Sequence, residues 1–116
     1  MKILIVDDDQ NILRLYKEEL EEEGYTIVTA SNGQEAIERF EREDPDLVTL
    51  DILLPDIDGI KLLRQMKEKK PRLPIIMSTA YDYRDDFAVW ASEAYIVKSS
   101  DLTELKATIK QLMEKE

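Results

Sequence analysis

The chain has 116 residues, 43% hydrophobic and 36% charged, with a formal net charge of −10, which fits one globular domain and lacks the basic surface that nucleic-acid backbones require. It contains neither cysteine nor histidine, which excludes disulfides, thiol catalysis, zinc–thiolate sites, serine-type triads and histidine-ligated metals. No apolar run approaches a membrane span, and MKILIVDDD turns acidic too soon for a signal peptide, so the expectation is a cytoplasmic protein without membrane or nucleic-acid partners.

Residues 2–6 form an apolar, β-branched run of the kind found in strands buried on both faces. Asp9 can cap a helix that carries Ile12, Leu13, Tyr16 and Leu20 on one face, and Gly24 ends it. Residues 25–30 read as a second strand. Ser31 or Asn32 caps the next helix, with Gln34 or Glu35 three residues on as a capping box requires. Its apolar face is Ala36, Ile37 and Phe40. After Pro45, residues 46–51 read as the third strand. Ile60, Leu63 and Met66 recur at helical spacing in residues 59–69. Pro71 and Pro74 bracket the approach to a fourth strand, PIIMST. A short helix is expected near residues 85–92, and AYIVK is the fifth strand. Asp101 and Glu104 form a second capping box, which opens a last helix with Leu102, Leu105, Ile109 and Leu112. Five β-α units in succession predict one α/β domain over residues 1–116, with a parallel sheet covered by helices on both faces.

Sites in open parallel sheets lie beyond the carboxyl ends of the strands. The residues there are Asp7-Asp8-Asp9, Ser31-Asn32, Asp51, Ser78-Thr79 and Lys98-Ser99-Ser100. Asp51 is the most informative, because it interrupts the apolar stretch LVTLDILLPDIDG. A buried charge without a partner is costly, so Asp51 either has a partner or is there to react. If the first and third strands are neighbours, Asp7, Asp8 and Asp51 converge. Like charges ~4 Å apart repel by ~4 kcal/mol at an effective dielectric constant of ~20, so the trio calls for a cation. Oxygen donors alone favour Mg²⁺, or Mn²⁺ in its place. Lys98 adds a fixed positive charge and Thr79 a hydroxyl. Together they would cradle a transferring phosphoryl group, with Asp51 as the nucleophile that forms an acyl phosphate. Taken singly, Asp8 and Asp9 also suit helix capping, Thr79 a turn and Lys98 a solvated strand end.

KILIVDDD, LVTLDILLPDIDG, IIMSTAY and AYIVKS, in this order, resemble the receiver domain of two-component response regulators. The resemblance covers essentially the whole chain. It implies a doubly wound, flavodoxin-like (CheY-like) fold: five parallel strands in the order 2-1-3-4-5, with five helices around them. It implies that Asp51 is the phosphoacceptor, that Asp7 and Asp8 are the acidic pair, with Asp8 the more direct Mg²⁺ ligand, and that Leu53 offers its backbone carbonyl to the metal. Thr79 and Lys98 match the residues that hold the phosphoryl oxygens. Tyr95 matches the aromatic switch, which moves together with Thr79. Pro55 and Asp58-Gly59 match the loop after the phosphorylation site. The donor is then a phosphohistidine of a sensor histidine kinase or histidine phosphotransfer protein, in trans because this chain has no histidine.

The chain departs from the family in two places. Lys98-Ser99 stands where a Lys-Pro pair is usual, whose cis proline fixes the approach of the lysine. The stretch from Thr79 to Lys98 is short, and it predicts a short or irregular fourth helix. That helix, the fifth strand and the last helix form the output face of the family. Tyr81, Tyr83, Phe87 and Trp90 cluster there, either as packing for the shortened helix or as a surface for a downstream protein target. Leu53 and Tyr81 occupy the positions that flank the attacking water, and their bulk implies slow self-dephosphorylation. The leading expectation is a stand-alone signalling switch rather than an enzyme. The alternatives are a receiver-like binding module that works without phosphorylation, and an aspartyl-phosphate phosphatase of the haloacid-dehalogenase type. The last needs an acid where Leu53 stands.

Overall fold

Apolar runs near both ends of the chain and between its helices pair into one parallel sheet in the computed structural model, which describes residues 1–79, 94–98 and 101–114. The strands are β1 (Lys2–Val6), β2 (Thr26–Ala30), β3 (Leu47–Leu50), β4 (Ile75–Thr79) and β5 (Ala94–Val97). Their order is β2-β1-β3-β4-β5, and every pairing is parallel. The helices are α1 (Gln10–Glu22), α2 (Gly33–Glu43), α3 (Gly59–Lys69) and α4 (Thr103–Met113). The doubly wound, flavodoxin-like architecture expected from the sequence is therefore present. The short helix expected near residues 85–92 lies outside the described residues, as do Tyr81, Tyr83, Phe87, Trp90 and Ser99.

Side-chain alternation along the strands explains the two layers. Leu4, Val6, Val48, Leu50, Ile75 and Met77 share one core with Ala36 and Phe40 of α2 and Leu62, Leu63 and Met66 of α3. Ile3, Ile5, Leu47, Ile76 and Ile96 share the other with Leu13, Tyr16 and Leu20 of α1 and Leu105 and Ile109 of α4. With both faces covered, strands β1 and β3 are apolar almost throughout. The exceptions are Lys2, half-buried at the start of β1, and Thr49, buried in the middle of β3.

Local chemistry sets the helix starts. The Asp9 carboxylate accepts from Asn11 N–H at 2.8 Å and opens α1. At α2 the structure chooses between the two candidate caps. The Asn32 side chain accepts from Glu35 N–H at 2.8 Å, and the Glu35 carboxylate accepts from Ser31 N–H at 2.9 Å. Asp58 accepts from Ile60 N–H at 2.8 Å and opens α3. Before α4, Asp101 accepts from the Thr103 N–H at 3.0 Å and from its hydroxyl at 2.6 Å, and Leu102 directly precedes the helix. The third strand is shorter than the sequence suggested. Asp46 lies before it and accepts from Lys2 N–H at 2.8 Å, while Asp51 lies just beyond it.

Candidate functional site

Strand register assembles the site. Val6 pairs with Leu50, so the residues that follow them, Asp7 and Asp51, leave the sheet side by side. Thr79 pairs with Val97, so Lys98 emerges from β5 at the same edge. Asp7 and Asp51 are only 2% and 4% exposed, so both carboxylates need partners within the protein. Lys98 supplies them. Its ammonium lies 2.5 Å from Asp7 Oδ2 and 2.8 Å from Asp51 Oδ2, and bridges the two acids. Asp7 Oδ1 also accepts from Asp9 N–H at 2.9 Å, and Asp51 Oδ1 accepts from Leu53 N–H at 3.2 Å. Among the described residues, no buried side-chain nitrogen or oxygen is left without a partner.

Asp8 completes the cluster from the rim. It is exposed, yet one carboxylate oxygen from each of Asp7, Asp8 and Asp51 falls within 4.8 Å of the others. Three carboxylates against one ammonium leave a formal charge of −2, which suits one divalent cation. The donors are all hard oxygens, the set that Mg²⁺ prefers. The residues present therefore fit such an ion.

The electrostatics follow from burial and contact. Burial pushes the Asp7 carboxyl above its ordinary value, and the hydrogen bond from Lys98 only partly offsets this. For Lys98, burial alone favours the neutral amine, but its bonds to Asp51 and Asp7 outweigh that and raise its pKa. Beneath them, the hydroxyls of Tyr16 and Ser78 lie 3.3 Å apart in the interior, and burial raises the phenol's pKa.

The loop after β3 is held close behind the site. Gly59 N–H donates to Ile52 carbonyl at 2.8 Å. A Cβ on Gly59 would stand 2.1 Å from the Asp51 carbonyl oxygen and 2.6 Å from Ile52 Cα, so only glycine lets α3 begin there. The three apolar residues after Asp51 part ways: Ile52 enters the core, Leu54 is half-buried, and the Leu53 side chain is 49% exposed beside the site.

Asp7, Asp8, Asp51 and Lys98 are thus together, as the sequence anticipated. Thr79 closes β4, and Tyr95 lies opposite Met77 in β5; the side chains of both lie outside what is described. The direct bridge from Lys98 to Asp7 was not anticipated, because it depends on how far each strand end projects.

The family model of the response regulator receiver domain matches residues 3–110. The chain is 38% identical, over 97% of its length, to the alkaline phosphatase synthesis transcriptional regulatory protein PhoP of Bacillus subtilis, 48% of which is covered. It spans about half the length of the curated relatives it matches. Among solved structures, it resembles the response regulator protein TrrA of Thermotoga maritima in complex with Mg²⁺-BeF. The TM-score is 0.92 at 48% identity, over 96% of this chain and 97% of that one. TrrA in complex with the histidine kinase ThkA is matched at a TM-score of 0.92 and 47% identity, over 97% of this chain and 98% of that one.

Proposed function

The chain belongs to the response regulator receiver domain family, and we propose that it accepts a phosphoryl group on Asp51 from a phosphohistidine of a sensor histidine kinase or histidine phosphotransfer protein. The observation that carries this reading is the buried Asp51 carboxylate, bonded to Lys98 and clustered with Asp7 and Asp8 at the ends of the central strands. The complex of TrrA with a histidine kinase supports a kinase as the partner.

In the transfer, the bond between phosphorus and the histidine nitrogen breaks, and a bond forms between phosphorus and an Asp51 carboxylate oxygen. The imidazole, protonated on its other nitrogen, leaves neutral with the electron pair of the broken bond. The Asp51 carboxylate charge is spent in the new bond, and the phosphoryl oxygens bring their own negative charge to the site. Lys98, 2.8 Å from Asp51 Oδ2, is placed to follow that charge outward while Asp7 keeps its other contact. Asp7, Asp8, Asp51 and the Leu53 carbonyl would hold Mg²⁺, with Mn²⁺ as a substitute. A bound ion of this kind neutralises the crowded acids and stabilises charge on the transferring group. Thr79 would donate its hydroxyl to a phosphoryl oxygen, and Tyr95 would shift with it as the two-state element that ligation biases. Output would then pass by protein contact through the face that includes β5 and the last helix, with Tyr81, Tyr83, Phe87 and Trp90 as its aromatic patch.

Incubation with a small phosphodonor and Mg²⁺, read by intact mass, tests the reading. The expected result is one stable phosphoryl adduct on the native chain and none on Asp51→Ala. No adduct on the native chain overturns it in favour of a module that works without phosphorylation. Continuous turnover of the donor overturns it in favour of a phosphatase.

A further inference from the structure

Asp56 belongs to the loop between β3 and α3, yet both its carboxylate oxygens serve α2. Oδ1 accepts from Gly33 N–H at 2.7 Å, and Oδ2 accepts from Gln34 N–H at 3.0 Å. These are first-turn donors that a helix leaves unpaired, at the end where its dipole favours negative charge. The third donor, Glu35 N–H, already belongs to Asn32. Ile57 seals the same junction. It sits so close to Gly33 that a Cβ there would be 2.0 Å from Ile57 Cγ2. One end of the loop is tied to the site by the bond from Leu53 N–H to Asp51, and the other end is tied to α3 by Asp58. Asp56 ties the span between them to a different element.

We propose that Asp56 is a positioning residue for the metal site: by latching the loop to the N-terminus of α2, it fixes where the Leu53 carbonyl stands relative to the carboxylates of Asp7, Asp8 and Asp51. The proposal rests on the reading of that cluster as a Mg²⁺ site. Asp56 touches neither the cluster nor the phosphoryl group and acts through the loop. Its carboxyl titrates below the ordinary value, chiefly because of the bond from Gly33 N–H.

The test is Mg²⁺ titration calorimetry on the full chain, for the native protein and for Asp56→Ala, Asp56→Asn and Gly33→Ala, with urea midpoints to register folding. Asp56→Ala is expected to weaken Mg²⁺ binding about three- to tenfold, less than the loss usual for partners of buried metal ligands, because this carboxylate is exposed. Asp56→Asn should fall between the two, since its single carbonyl oxygen can serve only part of the pair of donors. Gly33→Ala should weaken binding from the other side of the latch, by pushing Ile57 off α2. Hydrogen exchange at Gly33 and Gln34 should quicken in Asp56→Ala. The affinity ratio should persist at about 0.5 M KCl, where the effect of merely losing a distant charge is screened. A ratio that collapses to one at that salt overturns the proposal, as does Asp56→Ala binding Mg²⁺ like the native chain. A native chain that binds no Mg²⁺ overturns both this inference and the site reading. A native chain that binds Mg²⁺ and takes a phosphoryl group, with an unaltered Asp56→Ala, overturns the role of Asp56 alone.

Discussion

Replacing Lys98 with methionine keeps an unbranched apolar stem and removes the ammonium that lies between Asp7 and Asp51. Both carboxylates are then buried with no cation bridging them. At the 4.8 Å that bounds the cluster, two such charges repel by about 3.5 kcal/mol at an effective dielectric constant of ~20. The cost has a ceiling, because one carboxyl can take a proton instead. For an aspartate with an ordinary value of 3.8, protonation at pH 7 costs about 4 kcal/mol, at about 1.4 kcal/mol per pH unit. The variant should therefore lose about 3 kcal/mol of stability at pH 7 in EDTA, in line with removal of one partner from a buried pair. For a chain of this size the unfolding midpoint would drop by roughly 10–15 °C. At pH 5 the ceiling falls to about 1.6 kcal/mol, and the loss should shrink with it. Mg²⁺ at a hundred times its dissociation constant adds about 2.7 kcal/mol to a chain that binds it only when folded. Urea unfolding at pH 7 and pH 5, with EDTA or Mg²⁺, reads all three effects. A variant within about 0.5 kcal/mol of the native chain at pH 7 in EDTA would refute the argument, because an effect that small is in the range of an ordinary surface ion pair.

Other outcomes follow from the same geometry. Lys98 has a raised pKa: burial opposes its charge, but the bonds to Asp51 and Asp7 prevail. Its stabilising contribution should therefore be complete below its ordinary 10.5 and fade as the pH rises through the higher folded value. In urea titrations above pH 7, the gap between the native chain and Lys98→Met should persist to pH 10 and narrow beyond it; narrowing by pH 9 would count against the pairing. Asp7 carries the opposite expectation. Its raised carboxyl contributes most below 3.8 and loses that contribution as the pH rises through its folded value, so Asp7→Asn should gain stability at pH 7 in EDTA while binding Mg²⁺ more weakly. Gly59→Ala forces a methyl against the backbone of Asp51 and Ile52 and should cost about 1–3 kcal/mol in the same assay, as overpacking does; a neutral substitution would show that α3 can retreat. The phosphorylated chain should lose its group slowly, because the exposed Leu53 side chain beside Asp51 offers nothing to orient water. A half-life of seconds in Mg²⁺ buffer, followed by mass, would contradict that.

The strand ends were legible because parallel strands buried on both faces are written as apolar bursts, and a polar residue directly after such a burst stands at the carboxyl edge. Asp7, Asp51 and Lys98 each follow a run of that kind. Their mutual distances were not legible. The bridge from Lys98 to both acids depends on Thr79 pairing with Val97 and Val6 with Leu50, and strands buried on both faces are near-continuous apolar runs without the alternation from which register is read. The choice between Ser31 and Asn32 as a cap stayed open because either side chain suits the position, and only the bond from Glu35 back to Ser31 decides it. Asp46 read as a strand residue because it adjoins Leu47, whereas it holds the backbone N–H of Lys2 from outside the strand. Asp56 carries no such signal in the sequence. An acid after a proline looks like an ordinary turn residue, and its partners on α2 lie 22 and 23 positions away.

The strand order places the acids and the lysine in mechanically different parts of the molecule. Asp7 and Asp51 extend from β1 and β3, and each of those strands is hydrogen-bonded on both sides. Among the described residues, Lys98 extends from β5, an edge strand hydrogen-bonded to the sheet through β4 alone. Shifting an acid means breaking two ladders, whereas shifting the lysine means hinging one. The site is thus an anvil of fixed negative charge with its counter-charge mounted on an edge strand, and a change of charge at Asp51 should be felt first at that edge.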